Sequence, residues 1–354
     1  MKNIFKKIKY IIFILIYGKV KYQKSNFLNY SIIKKVKINN NVYKIFELSD
    51  VRIYTNTNDV AYIDKKNNII DGPSIQIRSN KYSHIRNNSI LNEGTPKILT
   101  KLHNRTFSLL CGAHGNNNYF HWFFDVLPRI YIFKKKYKIN KKDIFLVPSL
   151  KHNYQRQSLK ILGIKNPISA YSHNHFKSKK VITTFFDAVN KGKDIMPKWT
   201  TDYISKKFTQ NIKSRKGFIY QKIYIDRKDS ASNDRRKIIN ENEIKNFLTK
   251  NKFKSIILSD LSFDEELSVF NNAKIVIGLY GAGLTNFIFM KNNKKEIEIK
   301  HKKTGNLYKN IALFKKLKYS NIICDKFNSY SQDKRKFDGM IYCSLNQLKK
   351  ALIK

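Results

Sequence analysis

An imidazole and a carboxylate, His121 and Asp125, stand one helical turn apart in a largely apolar stretch, GAHGNNNYFHWFFDVLPRIYIF, residues 112–133. Asn118, His121, Asp125 and Arg129 are spaced three, four and four apart, which puts them on one stripe of a helix. Between them lie Tyr119, Phe120, Trp122, Phe123, Phe124, Val126 and Leu127, so most of that helix is expected to be buried. Polar groups in such surroundings need partners or work to do. The work that suits His121 and Asp125 is removal of a proton from a hydroxyl nucleophile. The plainer alternative is an internally satisfied stripe, with Asn118 capping the helix and Asp125 paired to Arg129. Pro128 is expected to bend the helix.

Residues 275–298 form a second constellation. Ile275 to Leu279 is a β-branched apolar run, as expected of a strand covered on both faces. Tyr280-Gly281-Ala282-Gly283 then turns the chain, and the two glycines leave room for a ligand to approach bare backbone. A short helix from Leu284 through Thr285 and Asn286 presents amide groups suited to phosphate. Glu298, in the next apolar run, suits the hydroxyls of a ribose. The alternative is that both glycines serve packing alone. A third stretch, YIDRKDSASNDRRKIINENE (224–243), carries Arg227 at an expected strand end and Arg236 before an expected helix. Two arginines beside a phosphate site form a bidentate clamp; otherwise they are surface residues of a polar loop.

These stretches need elements to hold them. Residues 36–64 alternate as strands of a β-rich beginning, and from Phe107 onward strands and helices alternate. Asn240 with Glu243, and Ser262 with Glu265, read as capping boxes at two helix starts. A chain of 354 residues suits two domains, here an N-terminal one over 1–210 and a C-terminal one over 211–354. Two Rossmann-like halves facing a central cleft are the natural architecture. The run Tyr10–Tyr17, preceded by lysines, is eight residues long, far short of the roughly 20 a spanning helix needs. It is expected as a buried strand or helix, the alternatives being a helix lying in a membrane interface or a short signal core without a cleavage site.

The formal charge of +45 suggests nucleic acid, but 59 of the 70 basic residues are Lys and 11 are Arg. The lysines are dispersed among Asn and Ile, which share A/T-rich codons, so base composition explains the excess. Anionic membranes or substrates remain suitable partners for such charge, and no nucleic acid is expected. Cys111, Cys324 and Cys343 show no metal-binding or paired spacing and fit a reducing compartment. An NAD-dependent oxidoreductase is a rival reading of 275–298, but the third glycine is replaced by Asn286 and the motif lies late in the chain.

Taken together, the NNNYFHWFFDVLPR helix, YIDR with RKIINENE, and AKIVIGLYGAGLTNFIFM running into EIEI resemble glycosyltransferase family 61, which includes bacterial capsular and lipopolysaccharide sugar transferases. The resemblance spans roughly residues 110 to 320 and implies an α/β, GT-B-like fold preceded by the β-rich segment. It implies an inverting transferase that moves a sugar from a nucleoside-diphosphate sugar to a glycan or lipid-linked glycan hydroxyl, with no metal and no cofactor. No Asp-x-Asp occurs in the chain. Carried over by position, Arg227, Arg236, Gly281, Gly283, Thr285, Asn286 and Glu298 belong to the donor side, with Tyr280, Ala282 and Leu284 completing that loop. His121 and Asp125 are the expected catalytic pair on the acceptor side, beside Asn118 and Arg129; Asp125 is favoured as the base, with the reverse assignment open. One departure is Tyr280, where the family usually has His before Gly-Ala-Gly. The cysteines and the dispersed lysines, not the resemblance, suggest a cytoplasmic setting, with peripheral contact on the inner face of the cell membrane as an alternative to a freely diffusing protein.

Overall fold

The computed structural model describes residues 2–23, 31–56, 58–78, 81–94, 98–112, 118–171, 174–186, 196–210, 212, 217–228, 236–325 and 339–353. It is a mixed α/β protein whose chain divides into two compact units, residues 1–191 and 192–354. The helix Lys198–Thr209 therefore falls in the second unit, where Phe208 meets Phe263 and Phe289 edge-on.

The first unit is built on one large mixed sheet. Its strands are β1 (Ser31–Ile38), β2 (Asn41–Thr55), β3 (Asp59–Ile63), β4 (Ile75–Arg78), β5 (Lys81–Tyr82), β6 (Thr100–Leu102), β7 (Thr106–Ser108), β8 (Ile144–Val147), β9 (Asn166–Ser169) and β10 (His175–Thr184). The main path runs β5-β4-β3-β2-β10-β7-β8-β9. The meander β1 to β5 is antiparallel, as its alternating sequence suggests, while β10, β7, β8 and β9 are parallel. The β-rich beginning and the αβ part are thus one sheet, joined where β2 pairs antiparallel with β10. Phe46, Leu48, Val51, Ile53, Leu146 and Val181 fill its core.

The second unit has five parallel strands: β11 (Lys222–Asp226), β13 (Lys254–Ile257), β14 (Ile275–Leu279), β15 (Lys295–His301) and β16 (Lys318–Cys324), in the order β13-β11-β14-β15-β16. Numbered along the chain, this is the doubly wound order 2-1-3-4-5. Its topological switch point lies between β11 and β14. A short parallel pair, β12 (Arg236–Ile238) with β17 (Gly339–Ile341), sits beside it. Ser262 and Glu265 form the expected capping box on helix Phe263–Asn272. Asn240 does not: its amide bonds the backbone of Cys343 and the Glu243 carboxylate, tying the helix Glu241–Lys250 to the chain after β17.

The N-terminal run differs from its expected burial. Lys2–Tyr17 is a helix of which only one face packs, through Tyr10, Phe13, Ile14 and Tyr17. Among the described residues, no helix is long and apolar enough to cross a membrane.

Candidate functional site

The polar stripe lies on a continuous helical segment, residues 119–134. Asn118 caps it, its side-chain oxygen accepting from the His121 amide. Proline cannot donate to the carbonyl four residues back and would clash with it. The helix answers with one wide π turn over Trp122–Val126, where the Leu127 amide bonds the Trp122 carbonyl, and resumes as α-helix from Pro128. Phe120, Trp122, Phe123, Phe124, Val126 and Leu127 are buried, and the Trp122 indole donates to Ser158.

This packing leaves one edge accessible, and His121 and Asp125 share it. Their side chains are 26% and 14% exposed, and His121 Nδ1 lies 2.5 Å from Asp125 Oδ2. The expected alternative pairing of Asp125 with Arg129 does not form. Arg129 is fully buried, and its guanidinium donates to the backbone carbonyls of Asp125, Thr184 and Phe186. Its charge is therefore spent on fastening the helix to the end of β10. The acceptor contact expected of Arg129 finds no exposed part of this side chain.

The second site sits at the switch point of the second unit. Arg227 follows β11, and Tyr280 follows β14. Arg227 Nη1 and Arg236 Nη1 donate to the Tyr280 carbonyl at 3.0 and 3.1 Å. The Arg236 guanidinium lies 5.4 Å from the centre of the Tyr280 ring, which makes a T-shaped contact with buried Tyr308. The two arginines, nine positions apart in the sequence, thus converge on one carbonyl. Beside them opens a cavity of about 470 Å³, lined among others by Asp226, Lys228, Glu241, Asn242 and Lys245.

Both glycines leave room for protein atoms. A Cβ on Gly281 would stand 1.9 Å from Arg227 Nη1, and one on Gly283 would stand 2.9 Å from Leu258 Cδ1. Gly281 admits the guanidinium, and Gly283 admits the half-buried Leu258 side chain. The segment after them is a 3-10 helix, Ala282–Phe289, rather than an α-helix. Only Ala282 and Gly283 at its start are half-exposed; Leu284, Thr285 and Asn286 are buried. Asn286 donates to the Gly283 carbonyl and holds the turn.

Glu298 also departs from its expected place. It lies in mid-strand, opposite Gly278, and is fully buried, with Tyr319 donating to Oε2 at 2.5 Å and Lys300 3.6 Å away. Burial raises its carboxyl above the ordinary range, with Lys300 and Tyr319 opposing that shift. Glu296, on the same face, is pushed higher by burial and by the Glu298 charge. Neither carboxylate is exposed at the end of the strand, where Glu298 was expected.

What the sequence reading passed over is the acidic lining of the cavity. Lys245 Nζ is 2.7 Å from Asp226 and 3.4 Å from Glu241, and Tyr224 donates to Glu241. Burial alone would lower Lys245, but these two carboxylates hold it above its ordinary value. The signals were present: Asp226 ends a strand, and Glu241 and Lys245 are one helical turn apart. The first unit has its own cavity, about 210 Å³, at the carboxyl ends of β7, β8 and β9; its lining, which includes Asn56, Cys111, Tyr171 and Asn174, carries no charge. Among the described residues, no cluster of three or more His, Cys, Asp or Glu is arranged to hold a metal.

The family model of glycosyltransferase 61 matches residues 119–299, just over half of the chain. The match begins on the polar helix and ends on β15, so it includes both sites. No curated protein matches the chain.

Proposed function

The chain belongs to glycosyltransferase family 61, and on that footing we propose that it moves a sugar from a nucleoside-diphosphate sugar to a glycan hydroxyl, with inversion, in surface polysaccharide biosynthesis. The observation that carries the donor assignment is the convergence of Arg227 and Arg236 on the Tyr280 carbonyl, beside a cavity at the topological switch point. Crevices at the carboxyl ends of a doubly wound sheet are where such ligands bind. The arginines and the half-exposed start of the 3-10 helix would take the diphosphate. Asp226 and Glu241 are placed for hydroxyl groups of the nucleoside.

On this reading the first unit serves the acceptor and the second the donor, the division of labour of a GT-B enzyme. His121 and Asp125 act as one base. With Nδ1 held by the carboxylate, Nε2 is the atom that takes the acceptor proton, and Asp125 fixes the tautomer. The attacking oxygen displaces the diphosphate from the opposite face of the anomeric carbon, and that carbon passes through an oxocarbenium-like state. Guanidinium groups stabilise the charge on the leaving diphosphate, the task a metal would otherwise perform. The uncharged cavity of the first unit, with amides and an exposed tyrosine, suits a neutral sugar of the acceptor.

Nucleoside diphosphates added in the presence of a chelator should raise the melting temperature by mass action. Stabilisation that appears only with magnesium or manganese would count against the metal-free donor site.

A further inference from the structure

We propose that the outer face of helix Lys2–Tyr17 attaches the protein, in the plane of the surface, to an anionic lipid bilayer. Ile4, Phe5, Ile8, Ile11, Ile12, Leu15 and Ile16 are all exposed, from 38% for Ile12 to 79% for Leu15. At 100° per residue they share one arc of roughly 140°. Lys7 borders that arc on one side and Lys9 on the other, and no acidic residue occurs in the helix.

The opposite face is held in place. Phe13 is fully buried and its ring fills the space over Gly94, where a Cβ would stand 2.2 Å from it. Tyr10 donates to the Leu91 carbonyl, Tyr17 packs edge-on against His175, and Lys6 pairs with Glu93. The apolar arc is thus presented outward by a docked helix, a pattern opposite to that of a helix packed on a soluble core.

A helix of 16 residues is about 24 Å long, short of the roughly 30 Å of a hydrocarbon core, so it lies along a bilayer rather than across it. Lysines reach from the edges of such a helix to lipid phosphates while the apolar side chains enter the acyl boundary. Charge selects this occupant over a second copy of the chain. A self-pairing face would bring Lys7 and Lys9 against the same lysines of a molecule also carrying +45.

The test is co-sedimentation of the full chain with vesicles of phosphatidylcholine, with and without phosphatidylglycerol. Binding is expected to require phosphatidylglycerol and to weaken with added salt. Ile8→Asp with Leu15→Asp should lower it by ~10-fold or more while leaving the melting temperature unchanged, since both side chains are exposed. Lys7→Gln with Lys9→Gln, which keeps the apolar arc, should weaken binding to the phosphatidylglycerol vesicles. Absence of vesicle binding, unchanged binding by the Asp variant, or a dimer that this variant splits without any vesicle binding would each overturn the proposal.

Discussion

Two apolar segments of this protein carry acidic residues, and the fold treats them in opposite ways. On the 119–134 helix, Asp125 stays at an accessible edge with His121 against it. On β15, Glu296, Glu298 and Lys300 alternate to one face and are buried beneath neighbouring elements. A helix spreads its residues over many directions, so a narrow polar stripe can reach solvent while the rest is buried. A strand inside a parallel sheet has only two faces, and both are covered. A carboxylate in a buried central strand therefore titrates as part of the packing, whereas one on a helix edge keeps its chemistry.

The largest test of that contrast is turnover. Asp125→Asn should leave folding and nucleoside-diphosphate binding intact and cut transfer by ~10²-fold or more. His121→Ala should fall similarly, and the double variant should lose little beyond the worse single one, because the pair acts as a unit. Near-normal turnover by a folded Asp125→Asn would break the catalytic side of the comparison. Glu298→Gln, by contrast, should change the melting temperature and leave donor affinity within a few-fold.

Arg227→Ala and Arg236→Ala should each weaken nucleoside-diphosphate binding by ~10-fold or more, the scale of a lost charge-assisted hydrogen bond. Calorimetric titration would read this directly, and unaltered affinity in both would place the diphosphate elsewhere.

The buried pair is tested by pH. Burial raises Glu296 in the folded state above its ordinary value of 4.5. The folded protein therefore holds that proton more tightly than the unfolded chain, and this contribution to stability is present in full below about 4.5 and lost as pH rises through the folded value. Glu296→Gln should melt higher than the parent at alkaline pH, by ~2–4 °C or more, with the advantage shrinking as pH falls toward 4.5. A constant difference across pH would mean that the carboxyl does not titrate in the buried layer.

The smallest effect is expected at Tyr280. Tyr280→His places a potential cation beside the diphosphate and should match or modestly raise turnover. Tyr280→Phe should keep the packing on Tyr308 and the position under Arg236. If His abolishes transfer while Phe preserves it, the ring serves packing and the electrostatic account of this position fails.

The residues themselves determined that strands and helices are interspersed from Phe107 on, that His121 and Asp125 share a helix edge, and that a strand ends at Leu279. Periodicity and turn chemistry act over a few residues, so these features are local and legible. The Ser262 capping box was legible for the same reason, and the Asn240 one was not, because its partner Cys343 lies far along the chain. Tertiary structure alone decided that Arg129 is spent on backbone carbonyls, that Glu298 is sealed in mid-sheet, and that Gly281 yields its space to Arg227. It also decided that β2 pairs with β10, and that Arg227 and Arg236 close on one carbonyl. Each of these depends on which distant segments pack together, and a residue's type and near neighbours specify its chemistry without specifying who will occupy the space beside it.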